Sequence, residues 1–231
     1  MTIAAVWIAK GSTYIAEAVA SMQSFKAHHP HIECVFCGFD THLPIFDRVY
    51  AYTYDDSKPF YYNLVSLYPS LLNLADTIFL FDTDTYTCAP FDTDILTALT
   101  RFNFLGAHAP GRRTAPSFYN LPDSFPEINI GFTAFNSNQS VRDLFALWKS
   151  HYTARLDIYN NNDQAPLRDA LWDWRGAFYV LPPEYNFRFG FGGQVRGTVR
   201  VLHGRSPNIA QLAHRINATT DLRGYARGEL S

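Results

Sequence analysis

Short apolar runs alternate with amphipathic helical patterns along the first part of the chain, and this alternation restricts the fold more than any other feature. Strands that alternate with helices build a parallel sheet, because each helix crosses over between two parallel strands and covers one face. We therefore predict an α/β fold with a mixed, mainly parallel sheet flanked by helices. The predicted strands are Ile3 to Ala9, Ile32 to Phe39, Arg48 to Thr53 and Thr77 to Phe81, with helices from Gly11-Ser12 through Phe25 and from Phe60 to Leu74.

The second part of the chain continues this pattern after a segment of different composition. Residues 109–126 are rich in Pro, Gly, Arg and Ser and too long for a routine connection, so we predict a mobile or substrate-facing loop there. The tail from Ser206 contains Gly224 and Gly228 and is expected to be loosely held. The other predicted elements are a helix to about Leu99, strands Phe102 to Ala107, Asn129 to Phe135, Phe178 to Leu181 and Thr198 to His203, and helices Val141 to Tyr152 and Gln164 to Trp172.

Composition and charge limit the classes of function. The chain has 231 residues, of which 47% are hydrophobic and 16% aromatic, enough for one sizeable core and a single domain over 1–231. Its net charge is −2 and its Lys and Arg residues are scattered, which argues against nucleic acid and against a polybasic membrane surface. The first residues lack the basic region of a signal peptide, and no apolar stretch approaches membrane-spanning length, so we predict a cytoplasmic protein without a transmembrane segment.

The cysteines fit the same compartment. Cys34, Cys37 and Cys88 are the complete set, an odd and low count that is typical of a reducing environment. Cys34 and Cys37 form a Cys-x-x-Cys inside a predicted strand, where residues i and i+3 face opposite ways. Joint metal binding or a disulfide between these two residues is therefore not expected.

Two carboxylates follow the apolar strand predicted at Thr77 to Phe81. Asp82 and Asp84 are two residues apart, so both side chains point to the same side of an extended segment. The carboxyl ends of strands are where open α/β sheets bind their ligands. Two converging carboxylates repel each other unless a cation lies between them, and hard oxygen donors favour Mg²⁺ or Mn²⁺. An acidic loop is the alternative on local pattern alone.

The same tetrapeptide, Phe-Asp-Thr-Asp, recurs at residues 91–94 in a different context. Ile95, Leu96 and Leu99 follow with helical spacing, so we predict Asp92 as a helix N-cap and Asp94 as an acid of the first turn. The second copy is thus expected to be structural.

Six segments, in matching order over most of the chain, resemble the nucleotide-diphospho-sugar transferases of the GT-A fold, particularly the glycogenin-like and bacterial galactosyltransferase branch. Each segment alone is weak, and together they are fairly specific. The resemblance implies a nucleotide-binding half at about 1–108 and an acceptor half at about 109–205, followed by the tail 206–231. The segments are a first strand followed by 9–14 (AKGSTY), 79–84 (FLFDTD), 127–132 (EINIGF), 162–164 (NDQ), 181–186 (LPPEYN) and 201–204 (VLHG).

The resemblance implies a sugar nucleotide, usually a UDP-sugar, held by Mn²⁺ or alternatively Mg²⁺, with Asp82, Asp84 and His203 as ligands. Imidazole added to two carboxylates favours Mn²⁺ among the hard cations. His203 also ends an apolar strand-like run, so a hydrogen-bonded core histidine fits the local pattern equally well. Such enzymes transfer the sugar to a glycan or a small hydroxyl acceptor.

The family pattern also implies donor contacts at the end of the first strand. Tyr14 corresponds to an aromatic residue that stacks on the base, beside backbone groups of Ala9 and Lys10. Thr83, between the two carboxylates, belongs to the same donor-binding set. On sequence alone, Tyr14 could equally be a helix residue that packs on the sheet.

Cationic and small residues complete the implied donor site. Lys58 resembles a lysine that reaches the phosphates, and Arg205 stands near the place of a family lysine that this chain lacks after His203. Asn129 and Gly131 fit an Asn-x-Gly element that approaches the donor sugar, where glycine permits a close approach. A solvated lysine and a simple turn are the respective alternatives.

Asp163 and Gln164 are the candidate catalytic residues that the resemblance implies. Gln164 would lie near the anomeric carbon and Asp163 would orient the acceptor hydroxyl, with retention of configuration. Asp163 could instead be a helix N-cap, and in an inverting enzyme Asp163 or Glu127 could act as general base. The loop 109–126, with Arg112, Arg113, Phe118 and Tyr119, is a candidate part of the acceptor site.

Two other functions remain open on sequence. The run Asp82-Thr83-Asp84-Thr85 also resembles the Asp-x-Asp that opens the first motif of haloacid-dehalogenase-type phosphatases, in which the first Asp is a nucleophile. Only Lys149 follows it, however, and the downstream acidic pair of those enzymes is missing. A non-catalytic module that binds a sugar nucleotide or a glycan is the second alternative.

Overall fold

The computed structural model describes residues 1–38, 43–110, 119, 121–159 and 162–230. Its centre is a seven-stranded sheet of order β3-β2-β1-β4-β7-β6-β8, in which β7 alone runs antiparallel to its neighbours. The prediction of a mainly parallel α/β sheet is confirmed. These strands are β1 Ile3–Ala9, β2 Glu33–Gly38, β3 Arg48–Ala51, β4 Thr77–Phe81, β6 Phe104–His108, β7 Ile128–Asn136 and β8 Phe178–Leu181.

The remaining elements are seven helices and two small ribbons among the described residues. The ribbon strands are β5 Thr85–Thr87 with β10 Val201–His203, and β9 Gly193–Val195 with β11 Arg223–Tyr225. The helices are α1 Ser12–His28, α2 Phe60–Leu71, α3 Asp92–Leu99, α4 Gln139–Ala154, α5 Leu156–Tyr159, α6 Gln164–Asp173 and α7 Ile209–Ile216, with 3₁₀ turns at Pro183–Tyr185 and Phe189–Phe191.

Helices cover both faces of the sheet, so the central strands are apolar on both sides. One core contains α2, α4 and α6 residues, and the other contains α1 and α3 residues. Cys37 belongs to the first core and Cys34 to the second, so the two thiols face opposite ways, as predicted. Both are free cysteines.

The second Phe-Asp-Thr-Asp begins α3, but the prediction that Asp92 is its N-cap is wrong. Phe91 occupies the N-cap position, and Asp92 and Asp94 both lie in the first helical turn. The Asp92 carboxylate is instead directed at two imidazoles, 3.4 Å from Nδ1 of His29 and 3.1 Å from Nε2 of His31. The packing of α3 against the end of α1 therefore decides where this carboxylate points.

The tail from Ser206 contains α7 and β11, although the sequence predicted a loosely held segment. Leu212 and Ile216 of α7, together with Leu230, are buried in a third apolar cluster with Phe187 and Leu202. The apolar pattern of α7 extends over only eight residues. Its buried face is therefore defined by packing against β10. Among the described residues, no helix combines the length and the apolar character that crossing a membrane requires.

Candidate active site

The carboxyl end of β4 brings the two carboxylates to the sheet edge that the sequence predicted. All five residues of β4 are buried, and the chain leaves the sheet at Asp82. The amide of Asp82 donates a hydrogen bond of 2.9 Å to the carbonyl of Gly131 on β7, which prolongs the β4–β7 pairing by one residue. The backbone at Asp82 is therefore fixed by the sheet itself.

His203 reaches the carboxylates through a ribbon that sequence analysis missed. Directly after Asp84, the chain forms β5, which pairs antiparallel with β10 so that Thr85 lies opposite His203. The amide of Gly204 also donates to the carbonyl of Asp84 at 2.8 Å. The three β5 residues are Thr-Tyr-Thr, and their β-branched and aromatic side chains are the sequence signal that could have predicted the strand.

The three side chains form a compact group. Nε2 of His203 lies 3.3 Å from Oδ1 of Asp84 and 3.6 Å from Oδ2 of Asp82. One donor atom from each residue lies within 4.8 Å of the other two. Such mutual distances allow all three side chains to ligate one ion after small movements. The structure thus brings together the residues predicted as metal ligands.

Asn186 fixes the orientation of the His203 ring. The side-chain amide of Asn186 donates to Oδ1 of Asn129 at 2.7 Å, so its own Oδ1 faces Nδ1 of His203 at 2.9 Å. Because an amide oxygen only accepts, Nδ1 of His203 carries the proton, and Nε2 is directed at the carboxylates. Histidines that bind metals are commonly held in this way by a hydrogen bond from the second ring nitrogen. Asn186 was not among the site residues predicted from the sequence.

Asn129 and Gly131 support this arrangement from β7. The backbone amide of Gly131 donates to Oδ1 of Asn129 at 3.0 Å, and the Asn129 amide donates to Oε1 of Gln164 at 2.8 Å. A Cβ at Gly131 would lie 2.0 Å from Nδ1 of His203. The group that comes close to the backbone at Gly131 is therefore the imidazole of His203. Asn129 and Gly131 both lie within β7, not in a turn.

The two carboxylates differ in their electrostatic surroundings. Burial opposes the ionisation of Asp84, but the hydrogen bond to His203 and the charges of His203 and Arg205 outweigh it and lower its pKa. Asp82 lies deep in a cleft, although 43% of its side-chain surface is open to that cleft. Removal from bulk water raises the pKa of Asp82, a rise that His203 and Arg188 partly offset. Negative charge at this point is best balanced by a cation.

These side chains line a cleft of about 580 Å³. A volume of this size accommodates a ligand as large as a nucleotide. Of the residues predicted as metal ligands or donor contacts, Lys58 and Gly131 do not line it. Those that do are Ala9, Lys10, Tyr14, Asp82, Thr83, Asp84, Asn129, Asp163, Gln164, His203 and Arg205.

Tyr14 lies at the open side of the cleft. Its side chain is 51% exposed, so it does not pack on the sheet. Nζ of Lys10 contacts Asp56 at 2.7 Å and lies 3.4 Å from the ring centre of Tyr54. Lys58 is exposed and lies 5.8 Å from the ring of Tyr62, outside the cleft.

Arg205 is engaged by carboxylates. Glu17 of α1 accepts two hydrogen bonds from its guanidinium group, at 2.6 and 2.9 Å, and Nη1 lies 3.2 Å from Oδ2 of Asp84. The hydroxyl of Thr83 also donates to Glu17, at 2.9 Å. Glu17 therefore joins α1 to both sides of the Asp82–Asp84 turn, and sequence analysis did not select it.

Asp163 lies at the start of α6 with its carboxylate buried. Its side chain makes no capping hydrogen bond, because the amide of Ala165 is bonded to Oδ1 of Asn162 at 2.9 Å. Oδ2 of Asp163 accepts from the hydroxyl of Tyr68 at 3.2 Å, and Trp148 donates to its carbonyl at 2.7 Å. Burial and the charge of Asp82 raise the pKa of Asp163 to about 7. Asp163 thus occupies the N-cap position of α6, as the alternative prediction proposed, but its carboxylate does not cap the helix.

Other cleft residues had no signal in the sequence. Tyr61 and Tyr68 reach it from α2, and Arg188 reaches it from the segment after Asn186. Within the candidate acceptor loop, Arg112, Arg113 and Phe118 lie outside the described residues. Tyr119 donates a hydrogen bond of 2.6 Å to Asp173 at the end of α6.

Solved glycosyltransferase structures share this fold. No protein-family model and no curated protein sequence matches the chain. An active-site mutant of LgtC superimposes with a TM-score of 0.64 at 15% identity and covers 88% of both chains. Galactosyltransferase LgtC in complex with donor and acceptor sugar analogs gives 0.59 at 16% identity, covering 88% of this chain and 87% of that one. The glycosyltransferase GlyE of Streptococcus pneumoniae TIGR4 gives 0.62 at 14% identity, covering 90% of this chain and 56% of GlyE.

The chain therefore has the fold of these glycosyltransferases, and the GT-A fold inferred from the sequence is confirmed. The likeness extends over most of the chain at low identity. Function must accordingly be argued from the site.

Proposed function

We propose that this protein is a metal-dependent glycosyltransferase that moves a sugar from a nucleoside-diphosphate sugar to a hydroxyl group of a glycan or a small acceptor. One observation carries the proposal: Asp82, Asp84 and His203 converge at the end of β4, with Nε2 of His203 aimed at both carboxylates. The galactosyltransferase LgtC, which shares the fold, has been seen with donor and acceptor sugar analogs.

Asp82, Asp84 and His203 would hold the cation, which we propose to be Mn²⁺, or alternatively Mg²⁺. The donor set supports this choice, because two carboxylates and one imidazole suit Mn²⁺ and leave positions open for phosphate oxygens. When bound, the cation neutralises the charge that develops on the diphosphate leaving group. The protein contributes a rigid site, since the sheet holds Asp82, the β5–β10 ribbon holds His203, and Asn186 holds its ring.

The donor would be a UDP-sugar whose base lies against Tyr14. The exposed ring of Tyr14 borders the cleft, and Ala9 and Lys10 offer backbone groups beside it at the end of β1. A ring that is open on one side is suited to stacking on a planar base. Together with Ala9, Lys10 and Tyr14, Thr83 is proposed to contact the donor.

Gln164 and Asp163 would act on the sugar and the acceptor. Asn129 holds Oε1 of Gln164, which leaves the Gln164 amide group free to donate to the donor sugar near its anomeric carbon. Tyr68 and Trp148 hold Asp163 at the cleft wall, where its carboxyl group would orient the acceptor hydroxyl. We propose that the reaction retains the anomeric configuration.

Calorimetry of UDP binding tests the metal. We expect binding in the presence of Mn²⁺ and a large loss of affinity in excess EDTA or in Asp84→Asn. Asp94→Asn is a matched control, because Asp94 ends the second Phe-Asp-Thr-Asp and lies exposed in α3. Undiminished binding in EDTA would remove the metal from the proposal.

The base contact is tested with Tyr14→Ala. Loss of one base–aromatic stack should weaken UDP binding by about 1–3 kcal/mol, roughly 5- to 150-fold. GDP should bind more weakly than UDP to the wild-type protein. Equal affinity for the two nucleotides would contradict the choice of uracil.

Donor hydrolysis separates transfer from the two alternative functions. A glycosyltransferase should release the sugar slowly from a UDP-sugar in the presence of Mn²⁺, whereas a non-catalytic module should bind the donor without turnover. A haloacid-dehalogenase-type phosphatase should instead cleave phosphate monoesters. The GT-A fold favours the first outcome.

Proton NMR of the first product tests retention, because an inverted anomeric signal would identify an inverting enzyme. The kinetics of Asp163→Asn provide a second test. An orienting role leaves a measurable remainder of transfer, whereas the loss of a sole general base should nearly abolish it.

A cytoplasmic location stays a prediction from the sequence.

A further inference from the structure

Arg205, which the family resemblance implied as a donor-binding residue in place of a missing lysine, already has its charge balanced. Its guanidinium group forms a two-point ion pair with Glu17 and a third contact of 3.2 Å with Asp84. A phosphate would have to replace carboxylate partners to bind this side chain with the same hydrogen bonds. Arg205 is therefore suited to holding the Asp82–Asp84 turn.

Arg188 also lines the cleft but, unlike Arg205, has no carboxylate partner among the described residues. Among the described residues, its side chain makes no hydrogen bond and no ion pair within the usual distances, and its Nε is buried without a partner. It lines the same cleft as Asp82 and Asp84. An unpaired guanidinium beside a carboxylate cluster is expected to take up an anion once a cation occupies that cluster.

The guanidinium group of Arg188 lies over an aromatic ring, which orients it. Its guanidinium carbon lies 4.6 Å from the ring centre of Phe191, in the 3₁₀ turn that begins at Phe189. Stacking on an aromatic ring leaves the edge of a guanidinium group free to donate two parallel hydrogen bonds. Two oxygens of a phosphate group accept such a pair with good geometry.

We propose that Arg188, rather than Arg205, is the side chain that binds the diphosphate of the nucleotide donor. This inference rests on the proposed function, because it needs a nucleoside diphosphate in the cleft. It assigns a binding role to a residue outside the sequence segments that resemble the GT-A family. As the glycosidic bond breaks, its electron pair goes to the diphosphate oxygen, and the fixed charge of Arg188 would stabilise that anion.

Binding of UDP, UMP and uridine, measured by calorimetry with Mn²⁺ present, tests the assignment. Arg188→Gln should weaken UDP binding by about 10- to 100-fold, the loss expected for charge-assisted hydrogen bonds, and leave uridine binding unchanged. Arg188→Lys keeps the charge but lacks the two-point geometry, so its UDP affinity should be intermediate. The slope of log affinity against log salt should be shallower for Arg188→Gln.

Arg227→Gln is the matched control, because Arg227 also lies against Phe191, at 5.7 Å, but is exposed and does not line the cleft. It should bind UDP like the wild-type protein. Affinity for Mn²⁺ alone and the melting temperature show whether Arg188→Gln has kept its fold and its metal site.

The outcomes separate the two proposals. If the wild-type protein binds no UDP with Mn²⁺, the proposed function fails. If it binds UDP, and Arg188→Gln binds equally well or loses uridine and UDP affinity to the same extent, the assignment of Arg188 fails alone. A loss of UDP affinity that is larger in Arg205→Gln than in Arg188→Gln, with Mn²⁺ binding unchanged, would assign diphosphate binding to Arg205.

Discussion

Asn186 Oδ1 accepts a hydrogen bond of 2.9 Å from Nδ1 of His203, and both side chains are buried. Asn186 in turn donates to Asn129, and Asn129 donates to Gln164. A continuous line of amide hydrogen bonds thus connects the proposed catalytic amide with the imidazole of the proposed metal site. Because each amide has one donating and one accepting end, the orientation of one member sets that of the next.

Replacing Asn186 should weaken the metal site without changing any proposed ligand. In Asn186→Ala, the His203 ring loses the partner that orients it, and we expect Mn²⁺ affinity to fall about 10- to 100-fold. Titration followed by electron paramagnetic resonance of free Mn²⁺ measures this directly. Asn208→Ala, at an exposed position where the side chain makes no capping bond, is the control. Unchanged affinity in Asn186→Ala would show that the ring needs no such support.

Gly131→Ala should displace the same imidazole by steric contact. The added methyl group would lie 2.0 Å from Nδ1 of His203, so either the ring or β7 must move. We expect a loss of about 1–3 kcal/mol in the free energy of unfolding, together with weaker Mn²⁺ binding. Gly224→Ala is the matched strand control, since its nearest neighbour, a Gln194 side-chain carbon, lies 3.8 Å away. Similar effects of both substitutions would contradict this account.

Asp163 should make the metal-free protein less stable as the pH rises. Burial, with the charge of Asp82, raises its pKa from 3.8 to about 7, so the folded state keeps this proton after the unfolded chain has lost it. The contribution of the protonated Asp163 carboxyl group to the free energy of unfolding is full below pH 3.8 and is lost progressively up to about pH 7. Asp163→Asn keeps a neutral side chain and should be more stable than the wild type at pH 8, by on the order of a few kcal/mol.

Urea unfolding in EDTA between pH 4 and pH 8 measures this difference. The advantage of Asp163→Asn should vanish near pH 4, where the wild-type carboxyl group is protonated in the folded state. Asp157→Asn, at an exposed position of the neighbouring helix α5, controls for the loss of a carboxylate. A constant difference between Asp163→Asn and the wild type across the range would contradict the raised pKa.

His29 should make the protein sensitive to acid. Its ring is fully buried between Phe25 and Phe91, at 4.6 and 4.8 Å. Among the described residues neither ring nitrogen makes a hydrogen bond, although Asp92 lies 3.4 Å from Nδ1. Burial lowers its pKa from 6.5 to about 4, and the charges of His28 and His31 add to this effect against the opposing Asp92. The contribution of the neutral His29 ring to stability is therefore full above pH 6.5 and falls as the pH drops towards 4, because the unfolded chain takes up the proton first.

His29→Phe should remove that pH dependence, whatever its effect on stability at pH 8. The free energy of unfolding measured at pH 7.5, 6.0 and 4.5 gives the slope for each protein. His214→Gln, on the exposed side of α7, should keep the wild-type slope. An unchanged slope in His29→Phe would assign the acid sensitivity to other groups.

Local sequence determined most of the main sheet and the position of its acidic edge. The apolar run of β4 and the i, i+2 spacing of Asp82 and Asp84 are short-range features, and they predicted both the strand and the convergence of the carboxylates. The opposite facing of Cys34 and Cys37 followed from the same periodicity. These predictions succeeded because strand geometry relates neighbours along the chain.

Other features required the tertiary structure, because their partners are distant in sequence. Pairing of β5 with β10 sets His203 beside Asp84, and packing of α1 supplies Glu17 to Arg205. The direction of the Asp92 carboxylate is decided in the same way, by histidines at the end of α1.

The sequence by itself determined the kind of fold and the pair of acidic residues at its edge, since periodicity and strand-end spacing are written into consecutive residues. Only the tertiary structure decided how His203, which the family resemblance had named, reaches them, that the amide of Asn186 holds its ring, and that Arg188 lines the cleft without a counter-ion among the described residues. Hydrogen-bond orientation and charge balance depend on the complete set of neighbours around a group. Packing of separate elements assembles that set.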